Sequence, residues 1–346
     1  MTGDGMTSLE RTLATLSHTE PDRVPLFLSL TMHGARELNQ PIQKYFGDAE
    51  YVVRGQEILR KKYGHDNLTG FCYGAAEVEA FGGSTLFFDN GPPNSGSPPI
   101  RYLEAIASLE TPNPTDCPPL LRMLEATRTL ADRYGDTTPI IGVVMSPFSL
   151  PVMQLGFSRY LDLLLSDDPL FWQLMDVNRE FCTTLANLQI EAGATAVIYF
   201  DPVSSPTIIP PDLARRTGLR IGREVIGTIK GGVAYHLASG RCLAIADELM
   251  QSGAIALGVS ALEDLAVLKE TFAGRMTLVG NLDGISMRRW STQEAENKVR
   301  KAVSAAAGRG GFILSDNHGE IPWQVDDSIL SALVLANRMY GRYPIT

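Results

Sequence analysis

Several common protein classes are excluded by what this sequence has little of. Cysteine is scarce: Cys72, Cys117, Cys182 and Cys242 are the only four in 346 residues, widely spaced and without a CxxC pair. No disulfide framework is expected, and a reducing cytoplasm fits this usage. No apolar run reaches about 18 residues, the length that a membrane-spanning helix needs. The opening MTGDGMTSLERTLATL lacks a basic stretch followed by an apolar one, so no secretory leader is expected. Positive charge is outweighed, 30 Lys and Arg against 39 Asp and Glu, for a net charge of −9. That balance excludes a general nucleic-acid binder, which needs a basic surface to meet phosphates. Internal repeats and blocks of like charge are also missing.

The composition itself, 44% apolar and 20% charged, is that of a globular chain with ample material for a large core. Eight short apolar runs rich in β-formers recur: VPLFLSL (24–30), NLTGFCYG (67–74), PIIGVVM (139–145), TAVIYFD (195–201), GGVAYHL (231–237), AIALGVS (254–260), MTLVGN (276–281) and GFILSD (311–316). Amphipathic helical patterns lie between most of them. Four of these end at glycines, Gly193, Gly253, Gly274 and Gly308, as expected for helix C-termini. One helix is predicted to start within Thr292–Ala295, with its capping-box acid out of step. Strands that alternate with helices pair in parallel through right-handed crossovers, and eight of them close into a (β/α)8 barrel. An open doubly wound sheet is the alternative, but LSLTMHGAREL after the first run is not a glycine-rich phosphate loop. Residues 1–346 are therefore read as one barrel domain. The Pro-, Gly- and Ser-rich stretch 88–120 is read as an irregular excursion between strands two and three.

In such a barrel, chemistry gathers where the strands end. The candidates there are His33 and Arg36 (strand one), Glu77 and Glu79 (two), Ser146 (three), Asp201 (four), His236 (five), Ser260 (six), Asn281 and Asp283 (seven), and Asp316 and His318 (eight). Three of the five histidines stand at such ends, whereas His18 and His65 do not and are read as surface residues. Glu77 and Glu79, two apart, share a face if their segment is extended. Gly319 allows a sharp turn that brings His318 toward the pocket.

LERTLATLSHTEPDRVPLF, AEVEAFGG (76–83), GATAVIYFDPVSSPTIIPPDL (193–213), LVGNLDG (278–284) and NHGEIP (317–322) together resemble the uroporphyrinogen decarboxylase superfamily over nearly the whole chain. Within it the sequence looks most like the corrinoid-dependent methyltransferases typified by methylcobamide:coenzyme M methyltransferases. The resemblance implies a methyl transfer between a cobalamin, carried on a separate small corrinoid protein, and a small molecule such as a thiol, pterin, methyl ether or amine. It also implies a cytoplasmic setting, and a homodimer as the assembly.

The resemblance assigns roles by position. His318, His236, Asp201 and Glu77 are the catalytic candidates, Asn281, Asp283 and Ser146 the cofactor-binding ones, and Arg36 and His33 the substrate-binding ones. The thiol-methylating branch binds zinc through His-x-Cys after strand five and a Cys after strand eight. Here Ala238 stands in place of the first Cys and His318 in place of the second, so a zinc site would use His236, Cys242 and His318. The alternative activity is that of a carboxy-lyase acting on a tetrapyrrole or other carboxylic acid. The decarboxylase branch resembles an anion pocket with paired arginines after strand one; here Arg36 stands alone. A barrel that binds without catalysis is the third reading.

Overall fold

The computed structural model describes residues 5–166 and 168–345. Six strands form one parallel sheet in the order β3 (Ile141–Met145), β4 (Ala196–Phe200), β5 (Gly232–His236), β6 (Ala256–Gly258), β7 (Thr277–Leu282) and β8 (Phe312–Asp316). Register is continuous, for example Val197 opposite Val233 and Leu278 opposite Phe312. Helix-facing residues Val144, Val197, Tyr199, Leu257 and Phe312 are fully buried under the surrounding helices. Each such side chain contributes about 1.5–3 kcal/mol through the apolar surface it removes from water.

The first two predicted strands are extended segments, and each makes a single parallel bridge to the sheet. Leu26 bridges Leu314 of β8, and Leu68 bridges Ile140 just before β3. Pro25 has no N–H to give, so a regular ladder cannot run through segment one. Side chains take over instead. Asp66 accepts the Leu26 N–H at 2.8 Å and Asn67 accepts the Leu28 N–H at 3.0 Å, closing the seam between the two segments. On the next seam Gln189 exchanges two 2.9 Å hydrogen bonds with the Val143 backbone. The Glu77 carboxylate accepts the Met145 N–H at 2.9 Å.

Asp66 is also the centre of a buried ion cluster. It accepts from Arg11 (2.7 Å), from both terminal nitrogens of Arg23 (2.6 and 2.9 Å) and from Ser8 (2.8 Å). Arg11 continues to Asp22 at 2.6 Å. The Asp-Arg-Val-Pro run thus pins the helix Ser8–Leu16 and segment one to segment two.

Three local expectations are corrected. The excursion after segment two is not irregular throughout: β1 (Thr85–Phe88) and β2 (Gly91–Ser95) pair as an antiparallel hairpin around Asp89 and Asn90. The helix predicted from Thr292 is capped one residue earlier, by Ser291, and Glu294 completes its capping box. His65 is not a surface residue; it is buried, and burial together with the Arg60 charge pushes its imidazole down to about 4.

Candidate active site

Chain turns at the carboxyl ends of β8 and segment one build the mouth. β8 ends in Asp316, whose Oδ2 accepts the backbone N–H groups of His318 (2.9 Å) and Gly319 (2.7 Å). Gly319 has φ +91°, a left-handed backbone that glycine adopts without strain. The turn sets His318 and Glu320 into a cavity of about 200 Å³, with Thr31, Asn67 and Thr69 as polar wall and Phe71, Met145 and Phe200 among the apolar wall. The imidazole of His318 lies 3.4 Å from the Ser239 hydroxyl.

Glu320 is the residue that strand-end reading passed over. It is half-buried and its carboxylate accepts a hydrogen bond from the Thr31 hydroxyl. Burial pushes its pKa up to about 7; the Thr31 bond pulls it down and the Asp316 charge adds to the rise. It therefore exchanges its proton near neutrality, as a general acid or base must. Its signal was available in NHGEIP: an ionisable side chain two residues beyond His318, past a turn-making glycine.

His236 ends β5 and reaches into the barrel. Its ring stacks on Phe200 at 5.3 Å between centroids and lies over Gly258, where a Cβ would come within 2.3 Å of its Cδ2. Nδ1 accepts the Ala238 N–H at 2.9 Å, and burial pushes the imidazole down to about 4. The ring is therefore neutral with its proton on Nε2. His236 and His318 both stand at the carboxyl end of the barrel, on either side of Gly319.

The other candidates are placed elsewhere. Asp201 is fully buried and saturated: Ser146 and Ser149 donate to Oδ1 at 2.7 Å, and Ser204 and Tyr235 to Oδ2 at 2.5 Å. It ties the loops after β3 and β4 to β5 and does not line the cavity, and Ser146 is consumed in the same knot. Glu77 and Glu79 lie on the short helix Ala75–Glu79, not on an extended segment, so they diverge. Glu79 meets Tyr73 and Thr85. Glu77 lies between β3 and the helix Pro169–Glu191, where burial raises the Cys182 thiol and the Glu77 charge adds to the rise. Asn281 and Asp283 line a separate groove beside Lys298 and Lys301; Asp283 caps Ser286 at 3.1 Å. Arg36 lies outside the cavity, with its guanidinium 4.6 Å from the Trp323 ring, bonded to the Trp323 carbonyl and 3.5 Å from Asp327. His33 is buried beside the same tryptophan, its imidazole pushed down to about 3 by burial and the Arg36 charge.

Glu77 gives a clean stability prediction. Burial raises its pKa to about 8 from 4.5. Between those values the unfolded chain releases a proton that the folded chain keeps, so stability falls as pH rises from about 4.5 to about 8. Glu77→Gln keeps the acceptor for Met145 and removes this slope. Melting temperatures measured at pH 6 and pH 9 should fall less in the variant than in the wild type; parallel losses would contradict the assignment.

Zinc does not fit the residues present. A metal on His236 needs the Nε2 lone pair, but Nδ1 is an acceptor here and the proton sits on Nε2. Cys242 is buried with its N–H on Glu263 at 2.8 Å, and burial and Glu263 drive its thiol far up, away from the thiolate that zinc binds. Among the described residues no three His, Cys, Asp or Glu side chains gather to hold a metal. The set His236, Cys242 and His318 is thus not assembled.

A family model described as uroporphyrinogen decarboxylase (URO-D) matches residues 7–340. The chain is 27% identical over 272 residues to the uroporphyrinogen decarboxylase of Idiomarina loihiensis, covering 75% of this chain and 74% of the relative. It is 30% identical over 247 residues to that of Streptomyces avermitilis, covering 68% and 66%. It is 27% identical over 161 residues to the methylcobamide:CoM methyltransferase MtaA of Methanosarcina barkeri, covering 46% and 47%. A solved methyltransferase from Methanosarcina mazei superposes with a TM-score of 0.85 over 97% of this chain and 99% of its own, at 21% identity, and so shares the barrel. The eight-part α/β barrel, its ionisable mouth and the match over residues 7–340 lead to one conclusion: the chain belongs to the uroporphyrinogen decarboxylase family of enzymes.

Proposed function

We propose that this protein moves a methyl group between a corrinoid, presented at the mouth on a separate small protein, and a small uncharged molecule seated in the cavity. The observation that carries this reading is the cavity wall. Its ionisable side chains are His318 and Glu320, and no lysine or arginine lines it. A tetrapyrrole bearing several carboxylates needs cations to replace the water it loses. Arg36, the candidate for that work, is occupied by Trp323 and Asp327. A carboxy-lyase reading has in its favour the longer alignments with the decarboxylases, but it lacks this cationic pocket.

Methyl transfer asks less of the protein. A bound corrinoid would supply or take up the methyl group and keep the bonding electron pair; the heteroatom of the small molecule would shed a proton as it gains the carbon and take one back as it loses it. Glu320 holds this proton. Thr31 orients its carboxyl, Phe71, Met145 and Phe200 exclude water around the methyl, and Asn67, whose Oδ1 is held by the Leu28 N–H, offers its amide N–H groups to the heteroatom side.

His318 provides the polar edge of the same cavity. His318→Ala should cost at least about 10-fold in turnover, less than the roughly 10²- to 10⁴-fold of a group that itself transfers the proton. His318→Cys should be equally damaging, because the imidazole at the cavity edge and not a metal ligand is lost; recovery of activity in the Cys variant together with bound zinc would contradict this. The two readings of the mouth separate in a binding assay. Methylcobalamin should bind and a porphyrinogen should not, and the opposite pattern would favour the lyase.

A further inference from the structure

Below the mouth, the barrel is open where such barrels are ordinarily filled. The inward positions of a (β/α)8 barrel normally carry layers of bulky branched side chains. Here Ala196, Gly232, Ala234, Ala256 and Gly258 are among the inward residues, and they bound a second cavity of about 290 Å³ whose wall is almost wholly apolar. The accessibility of alternate residues follows. Inward Ile141, Ala196, Ile198 and Ala234 are partly accessible, whereas their outward neighbours Val144, Val197, Tyr199 and Tyr235 are fully buried. The cavity opens at the amino-terminal end of the strands, beside the helix Ser8–Leu16, where Leu13 and Ile255 are 48% and 41% exposed.

Its upper end carries one polar group. His236 is 5% exposed and its ring forms part of this wall. Nδ1 is engaged by the Ala238 N–H, and the Nε2 proton has no hydrogen-bond partner among the described residues. This donor stands on an almost wholly apolar wall, where a ligand oxygen would bond to it. The stacked Phe200 and His236 rings divide this cavity from the one at the mouth, although Ile141 and Ile198 contribute to both walls.

We infer that the barrel lumen is a second binding site, distinct from the mouth, for a small uncharged apolar molecule with one hydrogen-bond acceptor, which it presents to His236 Nε2. An ionic ligand is excluded by the lack of any charged side chain in the wall among the described residues. The inference holds whichever reaction the mouth performs.

Acetophenone (ring plus one carbonyl), toluene (ring alone) and benzoate (ring plus charge) test it by titration calorimetry on the intact chain. Wild type should bind acetophenone saturably, toluene several-fold more weakly, and benzoate not at all. Ala234→Leu fills the lumen and should weaken acetophenone binding by more than about 10-fold, since a packed lumen leaves no room for a ring. His236→Phe keeps the stack on Phe200 and should erase the preference for acetophenone over toluene. Absence of saturable binding by wild type, benzoate binding as tightly as acetophenone, or undiminished binding in folded Ala234→Leu would each overturn the inference. The wild-type comparison of the three probes decides it even where a variant fails to fold.

Discussion

Glu320→Gln is expected to lower turnover by about 10²- to 10⁴-fold with the fold retained, the range for loss of a positioned general acid or base. The amide preserves the size of the side chain and its contact with Thr31 but carries no exchangeable acid proton. The pH profile is the more specific readout. Glu320 titrates at about 7, raised by burial. In the direction that removes a methyl group from a small ether or amine, the acid form donates, so wild-type rate should fall as pH rises through about 7. In the opposite direction the carboxylate accepts, and the rate should rise through the same value. The Gln variant should show neither limb. Thr31→Val removes the bond that lowers this pKa, so its profile should move to higher pH. An unchanged profile in Glu320→Gln would remove the carboxyl group from the mechanism.

The second large effect is on stability. Asp66→Asn should destabilise the fold by about 3–5 kcal/mol, the range for breaking one side of a buried ion pair. Arg11 and Arg23 both lose the carboxylate that they share, and both are buried, at 1% and 4% exposure. The arginines and the Leu26 N–H hold the Asp66 carboxyl below its ordinary value against the opposing effect of burial. The folded state therefore binds fewer protons than the unfolded one in acid, and this stability is present above about pH 4 and lost as pH falls through the lowered folded value. Urea unfolding at pH 7 measures the loss, and the same experiment in acid should bring wild type and variant together. A difference below about 1 kcal/mol at pH 7, the size of an exposed pair, would mean that the cluster is not a keystone of the seam.

That seam shows how far the sequence could be read. Alternating apolar runs and glycine stops located all six strands of the parallel sheet, because strand and helix periodicities are local properties. The two N-terminal strands were placed correctly as segments but not as ladders. Pro25 was a warning, yet nothing local says that Asp66, Asn67, Gln189 and Glu77 would stand in for backbone partners. The Asp-Arg-Val-Pro run was legible as a family signature. Its physical content, Arg23 on Asp66 and Asp22 on Arg11, spans up to 43 residues and appears only after folding.

The site divides in the same way. His318 followed a buried strand, and Gly319 announced the turn; both were readable. Asp201 has the residue type of a catalytic acid, but its four hydroxyl partners come from the loop after β3, the turn after β4 and β5 itself, and convert it into a structural knot. Glu77 lies in AAEVEA, a segment of helix formers whose spacing alone left open whether Glu77 and Glu79 share a face, and the helix Ala75–Glu79 separates them. Glu320 was hidden in plain view, since its value depends on burial and on Thr31, a residue 289 positions away.

The claim that the mouth transfers a methyl group to or from a corrinoid is tested most directly by the visible absorption of cobalamin. Methylcobalamin, free or on a small corrinoid protein, is mixed with the enzyme and a panel of small uncharged methyl acceptors, and reduced cobalamin with the matching methyl ethers and amines. The account predicts an enzyme-dependent conversion between the methylated and reduced spectra with at least one partner, lost in Glu320→Gln. An unchanged cobalamin spectrum across the panel, alongside enzyme-dependent release of carbon dioxide from a tetrapyrrole or another carboxylic acid, would contradict it.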